Sequence, residues 1–173
     1  MAVFTRVTEP QLSAWLGNYP LGLLLDFQGI QSGIENTNYF VTTGSGQFVL
    51  TLFEKLTANE LPFYLKLMDH LAHHGIPCPA PVADHGKRLL GELNGKPACI
   101  VSRLPGKSVM QPDAALCGAV GAMLAQMHNA GQSFGEHMPN ARAAAWRADT
   151  APQIRPYLTA QDAQLLDGEI AFH

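Results

Sequence analysis

A chain of 173 residues, 47% of them hydrophobic, is about one domain long and can bury a real core. A formal net charge of −3, from 11 Lys and Arg against 14 Asp and Glu, argues against nucleic acid or an anionic membrane as a partner. No apolar run approaches a membrane span, and "MAVFTRVTEPQ" lacks the apolar core of a signal peptide, so a cytoplasmic setting is expected.

In chain order, "TEPQLSAWLGNY" opens a helix, with Thr8 as N-cap, Gln11 in capping-box position and Pro10 in the first turn. "LGLLLDFQGI" then leads into a polar loop and the run "NYFVTT". "GSGQ" at 44–47 is a turn signal before "FVLTLFE", so these runs form a hairpin, with the segment ahead of the loop as a candidate third strand. Thr57 and Glu60 form a second capping-box pair. Leu61, Tyr64, Leu65, Met68 and Leu71 recur at helical spacing up to Gly75. "IPCPAPVAD" cannot be helix, because its prolines remove donors and fix φ. "RLLGELNGKPACIVSRL" reads as two strands about an Asn94-Gly95 turn. After the connector "PGKSVMQPD" an apolar helix ends at Gly131. An Ala-rich tail with Trp146, a Pro152/Pro156 break and a helical pattern over 159–172 follows. The composition shifts at about 104–112, which sets expected units at 1–104 and 105–173.

The loop, within "QGIQSGIENTNYFVTT", concentrates chemistry. Gly29 and Gly33 tolerate positive φ and allow close approach of a ligand. Ser32, Asn36, Thr37 and Asn38 add hydroxyl and amide donors, and successive N–H groups in a turn can make an anion-binding concavity. The residues alone leave two readings open, a polar hairpin turn or a phosphate-holding loop.

The order of elements and the blocks "GIQSGIENTNYFVTT", "FVLTLFEKLTANELPFYLKLMDHLAHHGIPCPAPV", "GELNGKPACIVSRLPGKSV" and "LAQMHNAG" resemble one group of small-molecule kinases. These are the bacterial-type homoserine kinases of the aminoglycoside phosphotransferase and choline kinase fold. The resemblance runs from about residue 3 to the end and implies an α+β, protein-kinase-like N-lobe. That lobe is an antiparallel sheet of about five strands with one inserted helix, followed by the first helices of a mainly α C-lobe. The implied activity is ATP-dependent phosphorylation of the L-homoserine hydroxyl in threonine biosynthesis, with Mg²⁺ as cofactor and a small amino acid as substrate.

By the same resemblance, Ser32, Gly33, Ile34, Glu35, Asn36 and Asn38 belong to the nucleotide's phosphate loop. Ile30, Tyr39 and Leu50 are adenine-pocket walls or the core beneath, with periodicity favouring core for Tyr39. "VSRLPG" at 101–106 is the hinge, where the Ser102 carbonyl and the Leu104 N–H would meet the adenine edge.

Two departures stand out. Kinase-like folds carry a Lys or Arg on the third strand to hold phosphates, paired with a helix Glu. Here Thr51 falls at that position. Lys55, four residues on, and Glu60, at the start of the next helix, are the substitutes at hand, Lys55 reading otherwise as a solvated surface charge. The second departure is the absence of H-x-D and of an Asp followed five residues later by Asn. Catalytic and metal-binding residues are therefore expected downstream of His173, and the chain reads as the N-terminal part of such a kinase, inactive alone. Helices from 113 onward would then expose apolar faces and invite self-association.

Other constellations are weaker. His70 and His74 have the i,i+4 spacing of a metal pair but no further ligand nearby, so His70, His73 and His74 read as capping or surface residues. His128 reads as packed or capping. Cys78, Cys99 and Cys117, odd in number and without a CxxC pairing, read as buried thiols in a reducing compartment. Two alternatives stay open: a kinase of another small alcohol (choline, an aminoglycoside, methylthioribose), or a non-catalytic nucleotide-binding fragment.

Overall fold

The computed structural model describes residues 3–140 and 142–172. They divide into two compact units, Met1–Gly135 and Glu136–His173. His173 lies outside the described residues.

In the first unit, helix α1 (Glu9–Leu16) starts as its capping signal dictates. Gln11 Oε1 accepts from the Thr8 N–H at 2.9 Å and from the Thr8 hydroxyl at 3.0 Å. Five strands follow, β1 (Leu24–Gly29), β2 (Thr37–Thr43), β3 (Gly46–Leu52), β4 (Gly91–Leu93) and β5 (Lys96–Ser102). They form an antiparallel sheet in the order β1-β2-β3-β5-β4, with helix α2 (Leu61–His73) inserted between β3 and β4. This is the expected α+β architecture. The β4–β5 turn holds Asn94 at φ 53 and Gly95 at φ 74, the left-handed pair that a tight type I′ turn requires.

Strand alternation gives the sheet two dissimilar faces. Tyr39, Val41, Phe48, Leu50, Leu52 and Ile100 point to the face covered by Leu12, Trp15 and Leu16 of α1. On the other face Val49, Phe53, Cys99 and Val101 pack with Leu65 and Met68 of α2. Full burial of a leucine contributes about 1.5–3 kcal/mol, so α1, with Leu12 and Leu16 almost wholly excluded from water, is an integral layer of the fold.

Three expectations need correction. Thr57 and Glu60 do bond, the Glu60 carboxylate accepting from the Thr57 N–H at 2.9 Å and hydroxyl at 2.7 Å. The helix nevertheless begins only at Leu61. Begun at Thr57, it would require Pro62 to donate to the Ala58 carbonyl, and proline has no N–H. Of the three cysteines only Cys99, in the sheet core, is buried, with Cys78 half-buried and Cys117 exposed. Cys117 stands on α3 (Ala114–Gly131), a helix with no buried residue.

The third correction concerns the tail. In the second unit, helix α4 (Ala144–Ile154) contains Pro152 rather than breaking there. The break comes at the second proline of the expected pair, Pro156, in a 3-10 turn over Arg155–Tyr157, before helix α5 (Ala160–Phe172). Among the described residues no helix is long and apolar enough to cross a membrane.

Candidate functional site

Residues 30–36 connect β1 to β2 as an exposed loop, closed at its base where the Ile30 N–H donates to the Asn38 carbonyl at 2.8 Å. Gly33 sits at φ 133, a backbone conformation other residues rarely adopt. Ser32, Gly33, Ile34 and Glu35 are all exposed, Ile34 at 92%, and Asn36 is half-buried. Among the described residues, no group accepts from the backbone N–H groups of residues 31–36. A run of unclaimed N–H donors around a left-handed glycine is the donor set an anion needs.

Next to the loop, on the α2 face of the sheet, Asn38 of β2 lies opposite Thr51 of β3. The Thr51 hydroxyl donates to Asn38 Oδ1 at 2.8 Å, and the Asn38 amide donates to the Asn36 carbonyl at 3.3 Å. The third-strand position is thus neutral and already bonded. Leu50, expected near the base, is 0% exposed in the core beneath α1, on the opposite face from Thr51. Its half-buried neighbour Val49 is the residue that shares Thr51's face, together with Phe40 across the strand pair. Tyr39 is core, as its periodicity implies, with its hydroxyl accepting from the Val7 N–H at 3.0 Å.

At the other end of β5, the Ser102 N–H donates to the Ala80 carbonyl at 2.9 Å and the Arg103 N–H to the Gln47 carbonyl at 3.1 Å. The Ser102 hydroxyl accepts from the Ala80 N–H at 2.9 Å. None of these bonds uses the Ser102 carbonyl or the Leu104 N–H. The Arg103 guanidinium lies over the Phe40 ring, 4.1 Å from its centroid, a cation–π contact at the hinge end of this face.

The loop's exit is anchored by a network that sequence reasoning missed. The Thr37 hydroxyl, in a residue 0% exposed, accepts from the N–H groups of Phe4 at 2.9 Å and Thr5 at 3.0 Å. It donates to Glu54 Oε1 at 2.7 Å. Glu54 also accepts from the Thr5 hydroxyl at 3.1 Å and pairs with Lys96 Nζ at 3.2 Å. Burial raises the Glu54 pKa, but the bonds from Thr37, Thr5 and Lys96 and the Lys96 charge outweigh it and hold the carboxyl below its ordinary value. A signal existed: Phe48, Leu50 and Leu52 mark the core phase of β3, and Glu54 continues that phase with a charge.

The substitutes for the missing strand cation divide. Lys55 reaches the loop, its Nζ 3.8 Å from Glu35 Oε1. Glu60 is taken up by Thr57, whose backbone N–H and hydroxyl hold its pKa low. His70 Nε2 donates to the Ala130 carbonyl of α3 at 2.9 Å, while His73 and His74 bond carbonyls one turn back at 2.8 Å. Among the described residues no three His, Cys, Asp or Glu side chains converge as a metal-holding group. Asp84 is likewise committed, to the Arg88 N–H and guanidinium at 2.9 Å each. The second unit has a groove of about 530 Å³ lined by Trp146, Ala151, Ile154, Leu166 and Ile170, and no expected nucleotide-site residue lines it.

Comparison with known proteins decides the family. A family model described as "Phosphotransferase enzyme family" matches residues 26–172. The chain belongs to this family. Within the phosphotransferase family its curated relatives include the homoserine kinases of Burkholderia mallei (strain SAVP1), 52% identical over 171 residues, and of Janthinobacterium sp. (strain Marseille), 54% identical over 172. These alignments cover 99% of this chain but 52% and 53% of those proteins, so the chain spans about half the length of the curated relatives it matches. A spectinomycin phosphotransferase solved with ADP and spectinomycin superposes with a TM-score of 0.63 at 15% identity, over 87% of this chain and 47% of that one. An amicoumacin kinase solved with AMP-PNP and Ca²⁺ gives a TM-score of 0.63 at 15% identity, over 88% and 55%. These two share the phosphotransferase fold with this chain.

Proposed function

We propose that the protein to which this chain belongs transfers the terminal phosphoryl group of ATP to the hydroxyl of L-homoserine, and that residues 1–173 supply its nucleotide lobe. The observation that carries the substrate assignment is identity above 50% to homoserine kinases along essentially the whole chain. The nucleotide assignment is supported by the free N–H groups at 31–36, whose donor chemistry suits phosphate oxygens. That two neighbours of this fold were solved with ADP and with AMP-PNP and Ca²⁺ agrees with ATP and a divalent metal, here Mg²⁺.

In this reading Ser32, Gly33, Ile34, Glu35 and Asn36 form the phosphate cradle. Asn38 and Thr51 form its neutral floor, and Val49 takes the base-wall role first expected of Leu50. The Ser102 carbonyl accepts from the base and the Leu104 N–H donates to it, so recognition there does not depend on side-chain identity. ATP supplies the phosphoryl group, and the lobe's task is to position it and offset its charge. The acceptor base and the Mg²⁺ ligands are assigned to the part of the family pattern that lies downstream of these residues. Threonine biosynthesis is the pathway that phosphohomoserine would feed.

The test is an ATP-consumption assay on the complete gene product with L-homoserine, choline, an aminoglycoside and methylthioribose as separate acceptors. Homoserine-dependent ADP release with formation of O-phosphohomoserine is expected. Turnover with another acceptor and none with homoserine would overturn the assignment. The isolated 1–173 chain should give no turnover with any of the four.

A further inference from the structure

The phosphate chain of a nucleoside triphosphate carries several negative charges, yet the loop's own donors are neutral, and so is the strand position where related folds place a cation. Thr51 occupies that position with its hydroxyl committed to Asn38. The nearby cations have different fates. Lys96 is bonded to Glu54 and lies on the α1 face of the sheet with Thr37. Arg103 rests on Phe40 at the hinge end. Lys55 alone among these three has its ammonium over the loop, 3.8 Å from Glu35 Oε1.

We propose that Lys55 is the phosphate-binding cation of this site, and that Glu35 holds it over the loop until a nucleotide takes the carboxylate's place; the proposal rests on the nucleotide reading of residues 32–36. The pair has the properties such an exchange needs. Its side chains are 71% and 59% exposed and their separation is beyond hydrogen-bond reach, so the attraction is weak and readily given up. A lysine stem is flexible and carries a compact charge, suited to moving from one anion to another. Glu35 stands near the end of the loop, two residues past Gly33 and within the run of unclaimed N–H groups, so the ammonium is already beside the donors that phosphate oxygens would meet. Lys55 follows Glu54, whose carboxylate is fixed by Thr37, Thr5 and Lys96, so the base of the lysine is rigid while its tip is free to move.

The experiment is calorimetric titration of the full-length protein with ATP, ADP and adenosine in the presence of Mg²⁺, using Lys55→Met, Lys55→Arg, Glu35→Gln and Gly33→Val. Loss of a charge-assisted contact predicts that Lys55→Met weakens ATP by about 10- to 100-fold. ADP should suffer less, adenosine should be unaffected, and Lys55→Arg should retain most of the ATP affinity. Removing the competing carboxylate predicts that Glu35→Gln tightens ATP by about two- to five-fold. Adenosine affinity at the wild-type level reports that each variant is folded. Wild-type ATP affinity in Lys55→Met, or an equal loss for ATP and adenosine, overturns the role of Lys55. Unchanged or weaker ATP binding by Glu35→Gln overturns the exchange. If Gly33→Val also leaves ATP binding intact, the loop reading itself falls. If Gly33→Val weakens ATP while Lys55→Met does not, only the lysine's role falls.

Discussion

Replacing Thr37 by valine keeps the shape of the side chain and removes the hydroxyl at the centre of the anchor beneath the loop. Two consequences can be sized. The bond to the Glu54 carboxylate at 2.7 Å disappears, and a hydrogen bond to a charged group is worth about 1.5–3 kcal/mol. The Phe4 N–H loses its acceptor, whereas the Thr5 N–H keeps Glu54 Oε1 at 3.2 Å. The orphaned donor adds about 1 kcal/mol, for a total of about 2.5–4 kcal/mol. Urea unfolding of wild type and Thr37→Val should show this as a lower midpoint with an unchanged slope.

The pH dependence follows from Glu54. Its folded-state pKa lies below its unfolded one, so its stabilisation is complete above the unfolded value of about 4.3 and is lost as pH falls through the folded value. The advantage of wild type over Glu54→Gln should therefore be full at neutral pH and shrink on acidification below about pH 4. A Thr37→Val loss under about 0.5 kcal/mol, the usual scatter of surface substitutions, or a Glu54→Gln difference that stays constant down to about pH 3, would refute the view of this network as an anchor.

Three further outcomes are expected. Leu50→Ala should destabilise by about 2–5 kcal/mol, as core leucine truncations do, while Val49→Ala destabilises less and instead weakens nucleotide binding; parallel unfolding and titration curves separate the two faces of β3. An aromatic-disulfide reagent should label the exposed Cys117 promptly, whereas Cys99, buried with its thiol pushed up to about 12, should react only on unfolding. The 1–173 chain should self-associate through α3, where Val120 and Leu124 are exposed, and a Val120→Ser/Leu124→Ser variant should sediment with lower mass at equal concentration.

Much of the architecture was legible because its signals are local. The Thr8–Gln11 box, the Asn94-Gly95 turn and the Gly75 stop each declare themselves within a few residues, and all three appear where expected. The site was legible only as far as backbone chemistry extends: the loop's glycine and polar residues can be read in order, but which face a β3 residue serves cannot. Leu50 and Val49 differ by one position, and only the packing of α1 and α2 on opposite sides decides which is core. The Glu54 network was legible only in part: the strand phase flags a charge at a core position, but its partners come from residues 5, 37 and 96 and no local pattern joins them. Lys55 reads as a surface charge in the sequence and is 71% exposed in the structure, but no local pattern announces that its ammonium lies 3.8 Å from Glu35 Oε1 of the loop.

That same network sets an order of assembly. Thr5 and Glu54 are 49 positions apart, Glu54 and Lys96 are 42, and the Asn94 amide that donates to the Arg6 carbonyl lies 88 residues further along. The amino-terminal segment is made first, its partners Thr37, Tyr39 and Glu54 follow 32–49 positions later, and Asn94 and Lys96 come last. Contacts this distant in sequence close late, so the anchor is complete only once β5 has emerged. An affinity tag or fusion placed ahead of residue 3 would therefore act on the completion of this anchor, slowing maturation while leaving the finished sheet unchanged.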